Sequence, residues 1–441
     1  MKYVLILVCV FSFKTINSQD KAWTLKACVN HALEHNIGIQ QSENSLLINQ
    51  QDILQAKGQF LPAVNTSLGQ RLSIGSGFDP VSNQRINNQT THSFNYNIGV
   101  NQTIFNGFRT LNLYKQSLLN LETSTLELNR LKDDVSLNVV NTYLNVLFNK
   151  ERLEMAKNQL NFSKKQLEQV TSLVNAGVQP KVNMYDAEAT LSNDAQSVTI
   201  ATNNYNLSLL SLSQLLQVPS KGFNIALIDV DSPTEALLYK AVDPILDYAL
   251  AHRYEIAIAQ KNIENAQLNI DVSKSGYYPT VTAGYGFGSV WSESKNDFFK
   301  QGFFRELDFN KGHNFNLNVN IPVFSRYQNK TAVARAKIRA TNSSLNLAQA
   351  KLNLESNIQL AFADAQAAFK TFQGASKSLL AQELSFNNAQ DRYNLGAINN
   401  FELDQFRLRF INAQSALINA KYDFVFKTKI LDFYMGKPLA P

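Results

Sequence analysis

The chain is poor in charge, in cysteine and in long apolar runs, and each shortage excludes a class of protein. Charged residues make up 17% of its 441 positions, below the usual quarter. The net charge of +6 is small and spread along the chain, with no basic run of the kind that binds nucleic acid. There are two cysteines. One of them, Cys9, lies in the first eighteen residues, so Cys28 has no later partner and a disulfide-stapled fold is excluded. No later stretch has the ~18 consecutive apolar residues of a membrane-spanning helix.

The N-terminus reads MKYVLILVCVFSFKTINSQD. Lys2 gives a short positive region, Tyr3 to Phe13 an apolar stretch too short to span a bilayer, and Ser18 a small residue for cleavage. Residues 1–18 are therefore expected to be a secretory signal peptide. Cys9 follows bulky Val8, which does not suit lipid attachment. The chain is expected to be exported without a helical anchor.

What the chain has in plenty is repetition. At a shift of 217, ALEHN (32–36) falls on ALAHR (249–253), and Pro62 falls on Pro279. At a shift of 219, NYNIGVNQTIF (95–105) falls on NFNLNVNIPVF (314–324), Gly177 on Gly396, and Pro219 on Pro438. The offset drifts by two residues across the copy, which marks a duplication. Each copy is expected to run through a helical stretch (about 25–60; 243–277) and a strand (63–74; 280–291). A polar loop (75–91; 292–311) and a second strand (92–104; 313–323) follow. Then come a long helical region (107–174; 325–394), a glycine-centred turn and a last helix (181–217; 400–435). Pro62 and Pro279 stand where helix gives way to strand, since proline cannot donate to a helix ladder. The organisation is thus a first repeat over 19–217, a connector over 218–243 and a second repeat over 244–441.

The helical regions are strongly patterned. Leu128, Leu131, Val135, Val139, Tyr143 and Val146 recur at three and four, and Ile338, Leu345 and Leu352 at seven, a coiled-coil spacing. As one helix, 107–174 would reach ~100 Å, more than a single globular core spans. A soluble coiled-coil rod fits this pattern but leaves the strands unexplained.

All four strands alternate. Val64, Leu68, Leu72 and Ile74, then Phe94, Tyr96, Ile98 and Val100, lie on one face. Val281, Ala283, Tyr285 and Phe287, then Phe315, Leu317, Val319 and Ile321, continue that face. The other face carries Asn65, Ser67, Gly69 and Arg71; Asn95, Asn97, Gly99 and Asn101; Thr282, Gly284, Gly286 and Gly288; and Asn314, Asn316, Asn318 and Asn320. A period of two fits a sheet wet on one side. One solution is a soluble sandwich. The other is lipid, where a sheet must close so that every backbone group is paired. Strands of 10–12 residues suit that length, and aromatics cluster near both strand ends: Phe60, Phe105, Tyr277, Tyr278 and Phe324 at one, Phe78, Phe94 and Trp291 at the other. Four strands are too few for a barrel, which needs about eight, so closure requires several chains.

With this layout and the turns LVNAGVQPKVNMYDAEATLSNDAQ (173–196) and YNLGAINNFELDQFRLRFINAQ (393–414), the chain resembles the TolC-type outer-membrane efflux proteins over nearly its whole mature length. The resemblance implies a mainly α fold with a transmembrane β part. Three protomers would form a homotrimeric 12-stranded β-barrel in outer-membrane lipid, continued by a long periplasmic α-helical barrel. It implies location in the outer membrane of a Gram-negative bacterium. It also implies docking to a periplasmic adaptor (membrane fusion) protein and through it to an inner-membrane RND or ABC-type pump, for efflux or type I secretion. The adaptor-docking tip turns carry over to Ala176, Gly177 and Val178 and to Leu395, Gly396 and Ala397. The family's acidic constriction carries over to Asp186 and Glu402, with Asp404 nearby, although Asn183 and Gln405 stand at two of its positions. Its arginine pairing after the turn glycine is missing, since Ala397 and Ile398 stand there. A plain αα-hairpin turn and a solvated helix face are the alternatives for these residues. Lumen-facing barrel residues would be Asn95, Asn97, Asn101, Asn314, Asn316, Asn318 and Asn320.

Three other patterns are set aside. HALEH (31–35) matches H-x-x-E-H, with His31 and His35 on one helix face. The second copy, however, has Tyr248, Ala251 and His252 at the matching places. GYGFGS (284–289) has glycines alternating in a strand with no helix after it, unlike a dinucleotide loop. Cys28 has no histidine–acid partners and is read as a small buried residue. No enzyme, metal site, cofactor or nucleic-acid partner is expected. A passive conduit leads, and a non-transporting periplasm-spanning coiled-coil structural envelope protein is the alternative.

Overall fold

The structure is a computed structural model that describes residues 22–79, 83–228, 233–234, 237–294 and 302–439. The expected signal peptide and part of the connector lie outside these residues. The first copy runs α1 (Leu25–His35), α2 (Ile37–Gly58), β1 (Ala63–Asp79), β2 (Gln84–Asn106), α3 (Arg109–Asn175) and α4 (Lys181–Leu215). The second runs α5 (Asp243–His252), α6 (Tyr254–Lys274), β3 (Thr280–Ser294), α7 (Phe303–Phe309), β4 (Gly312–Asn320), α8 (Gln328–Asn394) and α9 (Asn400–Tyr434). The long helices α3 and α8 have 67 residues each, and α4 and α9 have 35 each.

The backbone repeats as closely as the sequence. Eight of the ten left-handed residues among those described fall in pairs 219 apart: Gly107 with Arg326, Phe108 with Tyr327, Gly177 with Gly396, Gln217 with Gly436. Two consecutive left-handed residues therefore turn each strand–helix junction, although the second copy uses Arg326 and Tyr327, for which this conformation is costly. The aromatic pairs there are matched too. Phe105 meets Phe108 at 5.3 Å and Phe324 meets Tyr327 at 6.2 Å.

Four expectations need correction. The first helical stretch of each copy is broken, at Asn36 and at Arg253. Asn36 leaves helical geometry, and its Oδ1 accepts from Ile39 N at 3.2 Å, capping α2. Arg253 breaks where its guanidinium lies 4.0 Å from the Phe433 ring and 3.3 Å from Asp133. The loop expected over 75–91 is largely strand, since β1 and β2 continue as a ladder from Gly75–Gln89 to Asp79–Gln84. The loop expected over 292–311 contains α7. Conversely, β4 ends at Asn320 rather than 323, because Pro322 has no N–H for the ladder.

The chain divides into two units. One holds Ser42–Leu128 and Tyr254–Lys351. It contains a four-stranded sheet, ordered β1-β2-β3-β4 with every pair antiparallel. The other holds residues up to Gln41, Asn129–Arg253 and the chain from Leu352 on. Its main core packs Cys28, Val139, Val140, Tyr143, Val146, Leu212 and Tyr422. The Tyr143 hydroxyl reaches Trp23 O at 3.1 Å and Ala226 O at 2.5 Å. These carbonyls belong to a short bridge between Trp23 and Ile225, so one phenol ties α3 to the segment before α1 and to the connector. A second core packs Phe386, Ala389, Tyr393, Ile398 and Leu403 with Phe162 at the glycine turns.

Candidate functional site

Directly opposed residues of an antiparallel ladder share a face, so the register decides what each face carries. Asn101 stands opposite Gly284, and Gly284 opposite Asn316. Asn97 stands opposite Gly288 and Ser67, Asn95 opposite Gly69, Gly286 opposite Asn314, and Thr282 opposite Asn318. The structure thus brings all seven asparagines singled out above onto one face, Asn320 included, opposite Thr280. The amides lie over the glycines. A Cβ at Gly284 would collide with the Asn316 side chain, and one at Gly69 would lie 2.7 Å from Asn95 Oδ1. The glycines therefore make room for amides on the neighbouring strand.

The other face is apolar and open. Val64, Leu68, Leu72, Ile74, Leu317 and Val319 are exposed, and Phe315 is 80% exposed. Tyr285 meets Phe315 at 4.9 Å, and Tyr96 meets Phe287 at 6.0 Å, across strands. A soluble sandwich would bury this face in a core; here a contiguous apolar sheet surface is uncovered, which marks an interaction surface. The outer edges of β1 and β4 have no strand partner among the described residues.

At the far end of the long helices, Gly177 and Gly396 have φ of +75° and +73°. Val178 N donates to Leu173 O at 2.9 Å and Gly177 N to Val174 O at 3.0 Å. Ala397 N donates to Arg392 O at 2.8 Å and Gly396 N to Tyr393 O at 2.9 Å. These are two Schellman caps, each with its glycine in the left-handed position. Ala176, Val178, Leu395 and Ala397 are all exposed. Asn399 caps α9 by accepting from Glu402 N at 2.9 Å. Glu402 thus stands in the first turn, where an acid also suits the helix dipole. Asp186 is exposed on α4.

Asp404 has a different setting. It lies 3.3 Å from Arg407 Nε, and Arg407 is 5% exposed. Arg407 Nη1 donates to Asp194 Oδ2 of α4 at 2.8 Å and to Ser163 Oγ of α3 at 3.3 Å. Ser163 also donates to Asp194 Oδ2. Gln166 Nε2 donates to Asn400 Oδ1 at 2.6 Å. Burial raises the Asp404 carboxyl above its ordinary value, opposed by the charge of Arg407. One guanidinium thus ties α3, α4 and α9 together near the turns. The sequence reading missed Arg407, Asp194 and Ser163. Their signal is phase: Arg407 follows buried Leu403 by four, and Asp194 follows buried Ala187 by seven, so each puts a charge on a core stripe. His31 and His35 stack at 4.2 Å, as Tyr248 and His252 do at 4.3 Å.

The duplicated unit has a clear counterpart among known proteins. The family model described as outer membrane efflux protein matches residues 28–217 and 245–437. The chain belongs to this family. It is accordingly an outer-membrane protein of the efflux-channel type, with a large periplasmic helical part. This efflux family member is 23% identical over 359 residues to the pyoverdine export outer membrane protein OpmQ of Pseudomonas putida, covering 78% of this chain and 70% of that one. It is 20% identical over 293 residues to the outer membrane protein TolC of Vibrio cholerae. That match covers 66% of this chain and 64% of the relative, less than two thirds of its length. Among solved structures, CusC superposes with a TM-score of 0.79 at 16% identity, over 94% of this chain and 92% of that one. VceC from Vibrio cholerae superposes at 0.77 and 15% identity, over 94% and 96%. At these identities the structures speak for the fold, which is that of the expected helical barrel with a β part.

Proposed function

We propose that the chain is the passive exit duct of a tripartite efflux or type I secretion machine, built as a homotrimer. The observation that carries this is the four-stranded sheet with one open apolar face, one amide face and free outer edges. Three such sheets joined edge to edge make twelve strands, enough to close a barrel. The apolar face then meets outer-membrane lipid. Asn95, Asn97, Asn101, Asn314, Asn316, Asn318 and Asn320 then line water.

The same assembly gives a use to exposed Ile338, Leu345 and Leu352, which form a seam of coiled-coil spacing on α8. We assign residues 218–243 to an equatorial connector between repeats 19–217 and 244–441. The turns Ala176–Val178 and 395–397 are the docking tip for the hairpins of a periplasmic adaptor, which links the duct to an RND or ABC-type pump. Asp186 and Glu402 form cation-attracting rings at the constriction, and Asp404 contributes from its ion pair with Arg407. Transport energy comes from the pump, so the chain needs no catalytic residue or cofactor.

Planar-bilayer recording tests the proposal. Purified trimer is expected to give discrete conductance steps, with Asp186→Asn and Glu402→Gln together lowering cation preference. Absence of a trimer, and of conductance in wild type and double variant alike, rejects it in favour of a non-transporting scaffold.

A further inference from the structure

We infer that α7 is an interfacial helix seated in the headgroup zone of the outer leaflet, where it fixes the depth of the sheet in the membrane. The inference rests on the barrel proposed above. Helix α7 lies on the apolar face of the sheet, the face assigned to lipid, at its end far from the long helices. Phe303 packs on Phe94 at 5.4 Å and on Trp291 at 5.2 Å, both on that face. Ser289 Oγ, buried beneath the helix, donates to Leu307 O at 2.7 Å. Ser292 N donates to Glu306 Oε1 at 3.2 Å, and Asn310 Nδ2 to Val290 O at 2.8 Å. The contacting residues 303, 306, 307 and 310 recur at three and four, which is one face of a helix. The helix is thus held against the strands.

Its remaining surface is amphipathic. Phe304 is 83% and Phe309 79% exposed, with Arg305 and Asp308 exposed between them. Two bare phenylalanines beside charged groups suit neither bulk water nor hydrocarbon. They suit the boundary between the two, where aromatic rings concentrate and charged ends stay wet. The surface is continuous with the open apolar face of β2 and β3, so lipid that covers one meets the other. The aromatics Tyr277, Tyr278, Phe324 and Tyr327, all exposed, stand at the opposite strand ends. Helix α7 therefore marks the outer limit of an apolar band whose inner limit they set.

Tryptophan depth probes in vesicles test this. In a host carrying Trp23→Phe and Trp291→Phe, Phe304→Trp and Phe309→Trp are made singly, with Leu317→Trp as a mid-barrel control. The trimer is reconstituted in phosphatidylcholine brominated either near the headgroup or deep in the acyl chain. The control should be quenched most by the deep label. At least one α7 probe should be quenched more than twofold by the shallow label and less by the deep one. If neither is quenched by lipid while Leu317→Trp is, α7 stands in water and the inference fails. If Leu317→Trp is also unquenched, the barrel itself fails and takes the inference with it.

Discussion

Arg407 faces two carboxylates, and they do not carry equal weight. Asp194 accepts from the buried guanidinium at 2.8 Å and also receives Ser163, whereas Asp404 lies at 3.3 Å and is held above its ordinary value by burial. Removing the better partner leaves the buried cation only its longer contact to Asp404, and breaking such a buried pair costs up to about 3–5 kcal/mol. Asp194→Ala is therefore expected to lower the chemical-denaturation midpoint of the solubilised protein sharply, and Asp404→Asn only slightly. The pH dependence has a defined sign. A carboxyl whose folded value is raised favours the fold most when protonated. Its penalty builds as pH rises from about 3.9, the ordinary value, through the raised one. Asp404→Asn should flatten that slope in stability–pH curves, and an unchanged slope would assign it to another group. Cys28 is fully buried, and burial pushes its thiol up to about 12. Maleimide labelling at neutral pH, mapped by mass spectrometry, should leave Cys28 untouched in the folded protein and modify it in denaturant.

The strands and the long helices have legible periods. Alternation, strict over 313–320 and looser over 63–74, gave the two faces that the register shows, and spacings of three, four and seven placed α3 and α8. The helix breaks did not show, because Arg253 is positioned by Phe433 and Asp133, far away in sequence. The hairpin extension of β1 and β2 did not show either. Apart from Phe78 and Ile86 its residues are mostly small or polar and do not alternate, so only the ladder from Gly75–Gln89 to Asp79–Gln84 reveals it. Helix α7 is held by Phe94 and Trp291 on other strands, and its seven residues carry little period of their own. Gly284→Val would drive a branched side chain into the Asn316 amide, on the face proposed to line water. Refolding yield into detergent should fall several-fold, while Ala283→Val, on the opposite face, should be tolerated. Equal yields would mean the amide–glycine fit is not what sets the register.

At the scale of the whole molecule, the exposed apolar surface has to be covered by two different media. The sheet face is assigned to lipid, but the α8 seam lies along a helix too polar to sit in a membrane, since among the described residues no helix is long and apolar enough to cross one. That seam needs protein, and the partner the proposal supplies is another copy of the chain. Ile338 and Leu345, 62% and 61% exposed, would each contribute about 1–2 kcal/mol on burial of what remains exposed, repeated three times around the trimer. Ile338→Lys with Leu345→Lys should therefore leave the helical circular-dichroism signal nearly intact and shift native mass spectra from trimer to monomer. The same variant should lose bilayer conductance, because a four-stranded sheet cannot close alone. A variant that stayed trimeric would move the interface off this seam and leave its leucines without an assigned partner.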